Sequence, residues 1–498
     1  MTVATDALGT DEKASPAKDS RRWFALAVIA MAQLMVVLDA TIVTIAMPFA
    51  QQDLHISDGD KQWIFTAYTL IFGGLLLLGG RLADYLGRRR ILMIGLVGFA
   101  AASALAGLAQ NQVELFAGRA LQGAFGALLA PAALSLVSVT FTEAKERARA
   151  FGVFAGVSAA GAALGLIAGG ALVEYANWRW SLLVNTPVAL LALVGAFVFV
   201  VKDVPAARTG GYDLPGAVTV TLGLISIVYG FSRAASDGWT ASTTLALFVV
   251  GVALLAAFVA IENRTANPLL PLRIPGEINR GGAYLIALLV PIAMFAMFLN
   301  LSFYLQIVEH YSALKTGVAF LPFPAGIVVS AGIASTVLPK IGPRPLMLAG
   351  SVLGAAGLLW LSRLEYGDSY ATALLPAMIL IALGMGSLFV SMQTTALHQV
   401  DAEDSGVASA LLNAAQQVGG SIGTALLTTI SVQVAERYVR NNATIDHVVE
   451  RASIHSYNVA FLIGAGFFVL CIPIAAFMIR DKPENLLEGD EHAVHVGV

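Results

Sequence analysis

Gly79–Arg90, GGRLADYLGRRR, is a short connection between two apolar runs that are each long enough to cross a membrane. Four arginines, one acid and glycine turn points must stay in water while both flanks sit in hydrocarbon, and that contrast sets the fold class as an all-α membrane protein. The composition agrees: 57% of the 498 residues are hydrophobic, 12% are charged, and mean hydropathy is +0.78, outside the usual soluble range. A net charge of -3 gives no basic excess for nucleic acid, and the single Cys471 excludes an internal disulfide. No Walker A loop, HExxH motif or Cys/His cluster occurs, so ATP hydrolysis and metalloenzyme chemistry lack carriers, and neither a cofactor nor a metal is expected.

Crossing about 30 Å of hydrocarbon takes roughly 20 residues of helix. About 14 runs reach that length: 22–49, 61–80, 91–109, 115–138, 150–173, 181–201, 213–232, 241–260, 281–308, 316–338, 346–364, 371–397, 406–432 and 457–479. The first run is too long for a signal-peptide core and is expected to be retained, with the N-terminus in the cytoplasm. Counting loops alternately then puts about 20 of the 29 Lys and Arg on the cytoplasmic side and about 8 outside, as the positive-inside rule requires. The division is a tail over 1–21, a six-helix block over 22–201, a central pair with its connectors over 202–280, a second six-helix block over 281–479 and a cytoplasmic tail over 480–498. The segment from Val432 to Tyr457 reads as a solvated, partly helical loop. The blocks resemble degenerate copies: the basic loop at 81–90 has a counterpart at Pro339–Arg344, and LFAGRALQGAFG near Arg119 has a shadow, ILIALGMGSLF, that lacks the arginine. Repeated halves with a site between them are a transporter plan.

Two charges fall inside apolar runs. Asp39 lies about ten residues short of the outer end of helix 1, roughly 15 Å deep, and Arg119 lies roughly 7 Å below the outer end of helix 4. A long arginine side chain brings the two within reach. A buried carboxylate loses its charge in low dielectric and keeps it beside a guanidinium, so a pair that forms and parts with conformation can take up and release a proton. The alternative is a static ion pair that pins helix 1 to helix 4.

The arginines of the 81–90 loop serve topology, but topology needs neither Asp84 nor Gly80 and Gly87. An acid at that rim can meet the positive N-terminus of a helix in the other block in one conformation only, which makes the loop a candidate latch. Helix 5 carries Gly161, Gly165, Gly169 and Gly170, a nearly bare face that lets another helix approach closely. Trp178 and Trp180 read as interface anchors. Within the second block the polar residues are neutral: Asn300, Gln306, Gln393, Asn413 and Gln417 are candidates to line a cavity with Asp39, Thr41 and Gln122, although hydrogen bonding between helices explains any one of them as well.

Taken together, these motifs resemble the major facilitator superfamily, and within it the 14-helix drug:proton antiporters, over nearly the whole chain from Arg22 to Arg480. Gly80, Asp84, Gly87, Arg88 and Arg89 are similar to the superfamily's loop signature between helices 2 and 3. Leu38, Asp39, Thr41, Ile42, Val43 and Pro48 resemble the helix 1 signature, and Arg119, Gln122, Gly123 and Gly126 the helix 4 signature linked to proton coupling. The sequence WRW at 178–180, with Asn185 and Pro187 behind it, fits the same subgroup. Tyr85 stands where a basic residue is usual, Leu166 where proline usually follows a helix 5 glycine, and Thr44 and Met47 where asparagine and leucine are usual. The resemblance implies a major facilitator fold of two six-helix bundles plus a central two-helix insertion. It also implies docking of the loop near Ser405 and Gly406, and proton-coupled export of hydrophobic, often cationic, drugs by a monomer in the plasma membrane. A dedicated exporter of one endogenous metabolite, an uncoupled uniporter and a channel remain alternatives.

Overall fold

The computed structural model describes residues 16–141, 144–201, 213–266, 268–400, 404–442 and 447–481. Fourteen helices run back and forth: α1 Pro16–Asp53, α2 Trp63–Leu86, α3 Arg88–Gly107, α4 Gln112–Thr140, α5 Ala144–Tyr175, α6 Trp180–Phe199, α7 Leu214–Ser236, α8 Ser242–Glu262, α9 Ile278–Val308, α10 Ala313–Ile341, α11 Pro343–Leu361, α12 Tyr370–Leu397, α13 Ser405–Asn441 and α14 Val448–Phe477. Among the described residues 13 are long and apolar enough to cross a membrane, and α5 contributes a shorter apolar stretch, Ala163–Tyr175. One end of the molecule carries Arg21, Arg81 and Arg88–Arg90 and is the arginine end; the opposite one, with Trp178 and Trp180, is the tryptophan end.

The loop expected between residues 432 and 457 is mostly helix. α13 continues to Asn441 and α14 begins at Val448, so both helices carry their charged residues beyond the apolar stretch without breaking. Hydropathy finds where a helix leaves hydrocarbon, not where it stops.

In each bundle one helix is wedged between two others by glycines. On α4, Gly123 faces the Tyr68 carbonyl of α2 and Gly118 faces Ala106 of α3; on α12, Gly386 faces Ile327 of α10 and Gly384 faces Gly350 of α11. The α2–α3 and α10–α11 connections turn on the same device, with Gly87 at φ 94° and Gly342 at φ 79°, where a Cβ would be strained.

At the tryptophan end the bundles share one apolar core, in which Ile45, Met47 and Leu166 of the first pack with Leu301, Phe303 and Phe320 of the second. Toward the arginine end a second core is built around Leu26, Phe99 and Leu136 of the first bundle, with Ala414 of α13 packed into it. Hydrogen bonds reinforce the shared end: Ser302 donates to the Thr44 carbonyl at 3.0 Å, and the Leu314 N–H of α10 donates to Glu174 of α5 at 2.9 Å. The seam also runs along α2 and α13, with the Thr69 and Ser421 hydroxyls 2.7 Å apart. α7 covers that seam from outside: Thr221 donates to the Gly74 carbonyl of α2, and Thr429 and Gln433 of α13 donate to the Phe231 and Ala234 carbonyls. α8 packs behind α7, Gly251 against Gly223 and Ile227.

Candidate functional site

Position along α4 is set at its start. The Asn111 side chain accepts from the Glu114 N–H at 3.0 Å while Glu114 accepts from the Gln110 N–H at 2.8 Å, a reciprocal cap that fixes the first turn. Arg119 and Gln122 follow about two and three turns in, on the face toward α1. The helix 4 glycines let α2 come close enough for Tyr68 to lie beside them.

Asp39 and Arg119 meet directly. Both are fully buried, with Arg119 Nη1 2.6 Å from Asp39 Oδ2. The other carboxylate oxygen, Oδ1, accepts from Asn185 Nδ2 at 2.7 Å and Gln122 Nε2 at 3.2 Å. Arg119 further donates from Nη1 to Gln122 Oε1 at 2.8 Å and from Nε to the Ile64 carbonyl at 2.9 Å, and its guanidinium carbon lies 4.5 Å from the centre of the Tyr68 ring. Gln122 also donates to Ser103 Oγ at 2.5 Å. Three donors and one positive charge thus converge on one carboxylate, the environment an ionised acid needs in a low dielectric. Every one of these groups belongs to the first bundle. Two buried atoms of the cluster have no hydrogen-bond partner, Arg119 Nη2 and Asn185 Oδ1.

The remaining sequence candidates fall in several places. Thr41 bonds back to the Val37 and Leu38 carbonyls and packs on Gly165. Gly161 and Gly169 also face α1, at Leu34 and Ile42, whereas Gly170 faces Ala313 and Leu314 of α10 across the seam. Leu166 is buried with its carbonyl against Gly317 of α10. Gln306 donates to Ser302 at 2.8 Å and toward the Ile45 carbonyl of α1 at 3.5 Å. Asn300 is buried, Gln393 is half-buried, and Asn413 is exposed and bonded to the Ser409 carbonyl of its own helix. Gln417 lies on the α2–α13 seam beside Gly73, with its buried Oε1 unpartnered.

The connection expected over 79–90 is helical except at Gly87, since α2 runs to Leu86 and α3 opens at Arg88; Gly80, within α2, lies against Pro131 of α4. Arg89 donates to the Phe197 carbonyl at the end of α6 at 2.7 Å, as Arg21 does to Val198, so both complement a helix C-terminus. Arg88 opens α3 and is half-buried. The side chains of Asp84 and Ser405 and the surroundings of Gly406, on which the docking expectation rests, lie outside what is described. Trp178 is not an exposed interface anchor: it is buried and donates to Asp53 at 3.0 Å, joined there by Arg179 at 2.6 Å, while Trp180 is exposed. The WRW stretch thereby closes the end of α1.

Two helical bundles meeting at a seam, with a charged pair buried in one of them, fit the plan of a membrane transporter. The chain belongs to the major facilitator superfamily, whose sequence profile matches residues 29–424. It is 46% identical over 481 residues to the puromycin resistance protein pur8 of Streptomyces alboniger, covering 96% of this chain and 95% of that one. It is 33% identical over 492 residues to the cephamycin export protein CmcT of Amycolatopsis lactamdurans, covering 97% and 98%. A solved bacterial homologue of the human lysosomal transporter Spinster shares the fold, with a TM-score of 0.64 at 14% identity over 94% of this chain and 98% of that one. The protein is therefore a multi-pass membrane transporter, not an enzyme, and its relatives include antibiotic resistance and export proteins.

Proposed function

We propose that this protein exports hydrophobic, cationic drugs or antibiotics in exchange for protons, as a monomer that alternates access across the plasma membrane with both termini in the cytoplasm. The observation that carries the reading is the Asp39–Arg119 pair, fully buried and held by donors of the first bundle alone. An ion pair in hydrocarbon is expensive, and its use is to part and re-form. The first bundle moving as a rigid body leaves the pair untouched, so coupling requires a change within α1.

The seam supplies one. The Thr44 and Ile45 carbonyls, which take bonds from Ser302 and Gln306, lie about 8 Å along α1 from Asp39. Opening the tryptophan end removes those bonds and frees this part of α1. Water then reaches Asp39 from outside, a proton neutralises it, and Arg119 keeps Gln122, the Ile64 carbonyl and the Tyr68 ring. Closing that end returns Asp39 to Arg119 and expels the proton inward. With the positive-inside orientation, the closed tryptophan end is the outer one. Asn300, Gln306, Gln393, Asn413 and Gln417 supply the neutral polar wall of the substrate path, while Gln122 serves the buried pair. Gly80, Asp84, Gly87, Arg88 and Arg89 form the latch of the cytoplasmic side.

Puromycin, an amine carrying an aromatic group, is the first substrate to test. Expression in an efflux-deficient host should lower its accumulation, and an uncoupler should restore it. Equal accumulation of puromycin and of a panel of lipophilic cations with and without the protein would contradict drug export.

A further inference from the structure

The central helix pair holds the other two buried charges among the described residues, Asp213 and Glu262, and the cycle above uses neither. Asp213 precedes α7 and caps it, accepting from the Gly216 N–H at 2.9 Å; Glu262 ends α8 and accepts from the Leu270 N–H of the following connector at 3.0 Å. Each has one engaged oxygen, and the second, Asp213 Oδ2 and Glu262 Oε1, is buried without a partner. Both free oxygens converge on Gly216: a Cβ there would collide with Asp213 Oδ2 and lie 2.9 Å from Glu262 Oε1. The two free oxygens therefore crowd around one point, and neither receives a hydrogen bond there.

Two ionised carboxylates cannot bond to one another, and at this separation in a buried site both cannot be charged at little cost. One proton removes both difficulties, because the protonated oxygen donates to the ionised one. Among the described residues one compensating charge is near. Arg81 of α2 lies close enough to act on Glu262, but its Nη2 is engaged by the Pro268 carbonyl at 2.6 Å. The connector adds the Leu270 N–H, and α13 presents Val407, Ala410 and Leu411.

We propose that Asp213 and Glu262 form a second protonation site, separate from Asp39, in which the two carboxyl groups share one proton at the arginine end of the central pair and exchange it with water on that side. On release, the second negative charge faces Arg81. The site joins the end of α2, the connector and both central helices at one point, so its charge acts where the central pair meets the moving bundles. It stands whether or not Asp39 carries the transported proton.

Infrared difference spectroscopy on the full-length protein in lipid nanodiscs tests it, in the Asp39→Asn background so that Asp39 is silent. Between neutral and alkaline pH, the spectrum should show loss of the carbonyl stretch of a protonated carboxylic acid. Glu262→Gln should remove that band, and Asp213→Asn, whose amide oxygen still caps α7, should shift or remove it. No such band, or an unchanged band in both variants, would overturn the shared proton. Having two single variants keeps the test decisive if one of them fails to fold.

Discussion

The two bundles use one packing plan and opposite chemistry. α4 lies between α2 and α3 as α12 lies between α10 and α11, each seated by its glycines. Yet the first bundle buries Asp39 and Arg119, whereas among the described residues every buried polar side chain of the second is neutral. Where α4 ties its neighbours with an ion pair, α12 uses hydroxyls: Ser330 donates to the Leu383 carbonyl at 2.5 Å and lies 3.1 Å from Ser387. A neutral bundle costs less to fold and has nothing to titrate, so the charged bundle is where proton binding and motion can be joined.

Removing a charge from the first bundle should break this contrast most severely. Asp39→Ala leaves Arg119 buried without a counter-charge and should cost about 3–5 kcal/mol, read as a large drop in thermal stability in detergent. Asp39→Asn keeps hydrogen bonding at that position and should fold while losing coupled transport. Arg119→Lys keeps the charge but cannot reach Asp39, Gln122 and the Ile64 carbonyl together; transport measured in vesicles should fall about tenfold with the fold retained. Asn185→Ala removes one charge-assisted bond to Asp39 and should cost about 1.5–3 kcal/mol in chemical denaturation. The corresponding change in the neutral bundle, Ser330→Ala, should cost about 0.5–1.5 kcal/mol and leave coupling unchanged; a loss of coupling there would end the division of labour between bundles.

The smallest effect is expected at the start of α9. Burial alone would raise the Glu277 carboxyl, but the Asn279 and Arg280 N–H groups it caps outweigh burial and hold it below the usual carboxylate range. A depressed group contributes stability above its unfolded value, about 4.3, and loses it as pH falls through the folded value. Glu277→Gln should therefore flatten the acid limb of a stability–pH profile and change little at neutral pH.

Much of this was legible in the sequence. Run lengths give fourteen helices, and two charges in hydrocarbon at compatible depths identify the pair. Gln122 was grouped with the cavity, yet it bonds to both members of the pair. Ser103 and Tyr68 carried no signal, since a serine in an alanine-rich run and a tyrosine in an apolar one look like ordinary membrane residues. Asn185 stood out only as part of the family motif. The place of α7 on the α2–α13 seam was invisible because side chains there bond to backbone carbonyls, which every sequence has. Asp213 and Glu262 were hidden by position: at the ends of apolar runs they look like solvated boundary residues, and only folding of the connector buries them.

The central claim is that Asp39 carries the proton exchanged for substrate. Inverted membrane vesicles with an acid interior test it directly, by following proton release when ethidium or puromycin is added. The account predicts substrate-triggered loss of the pH gradient with the parent protein and none with Asp39→Asn. Equal release from both would contradict it.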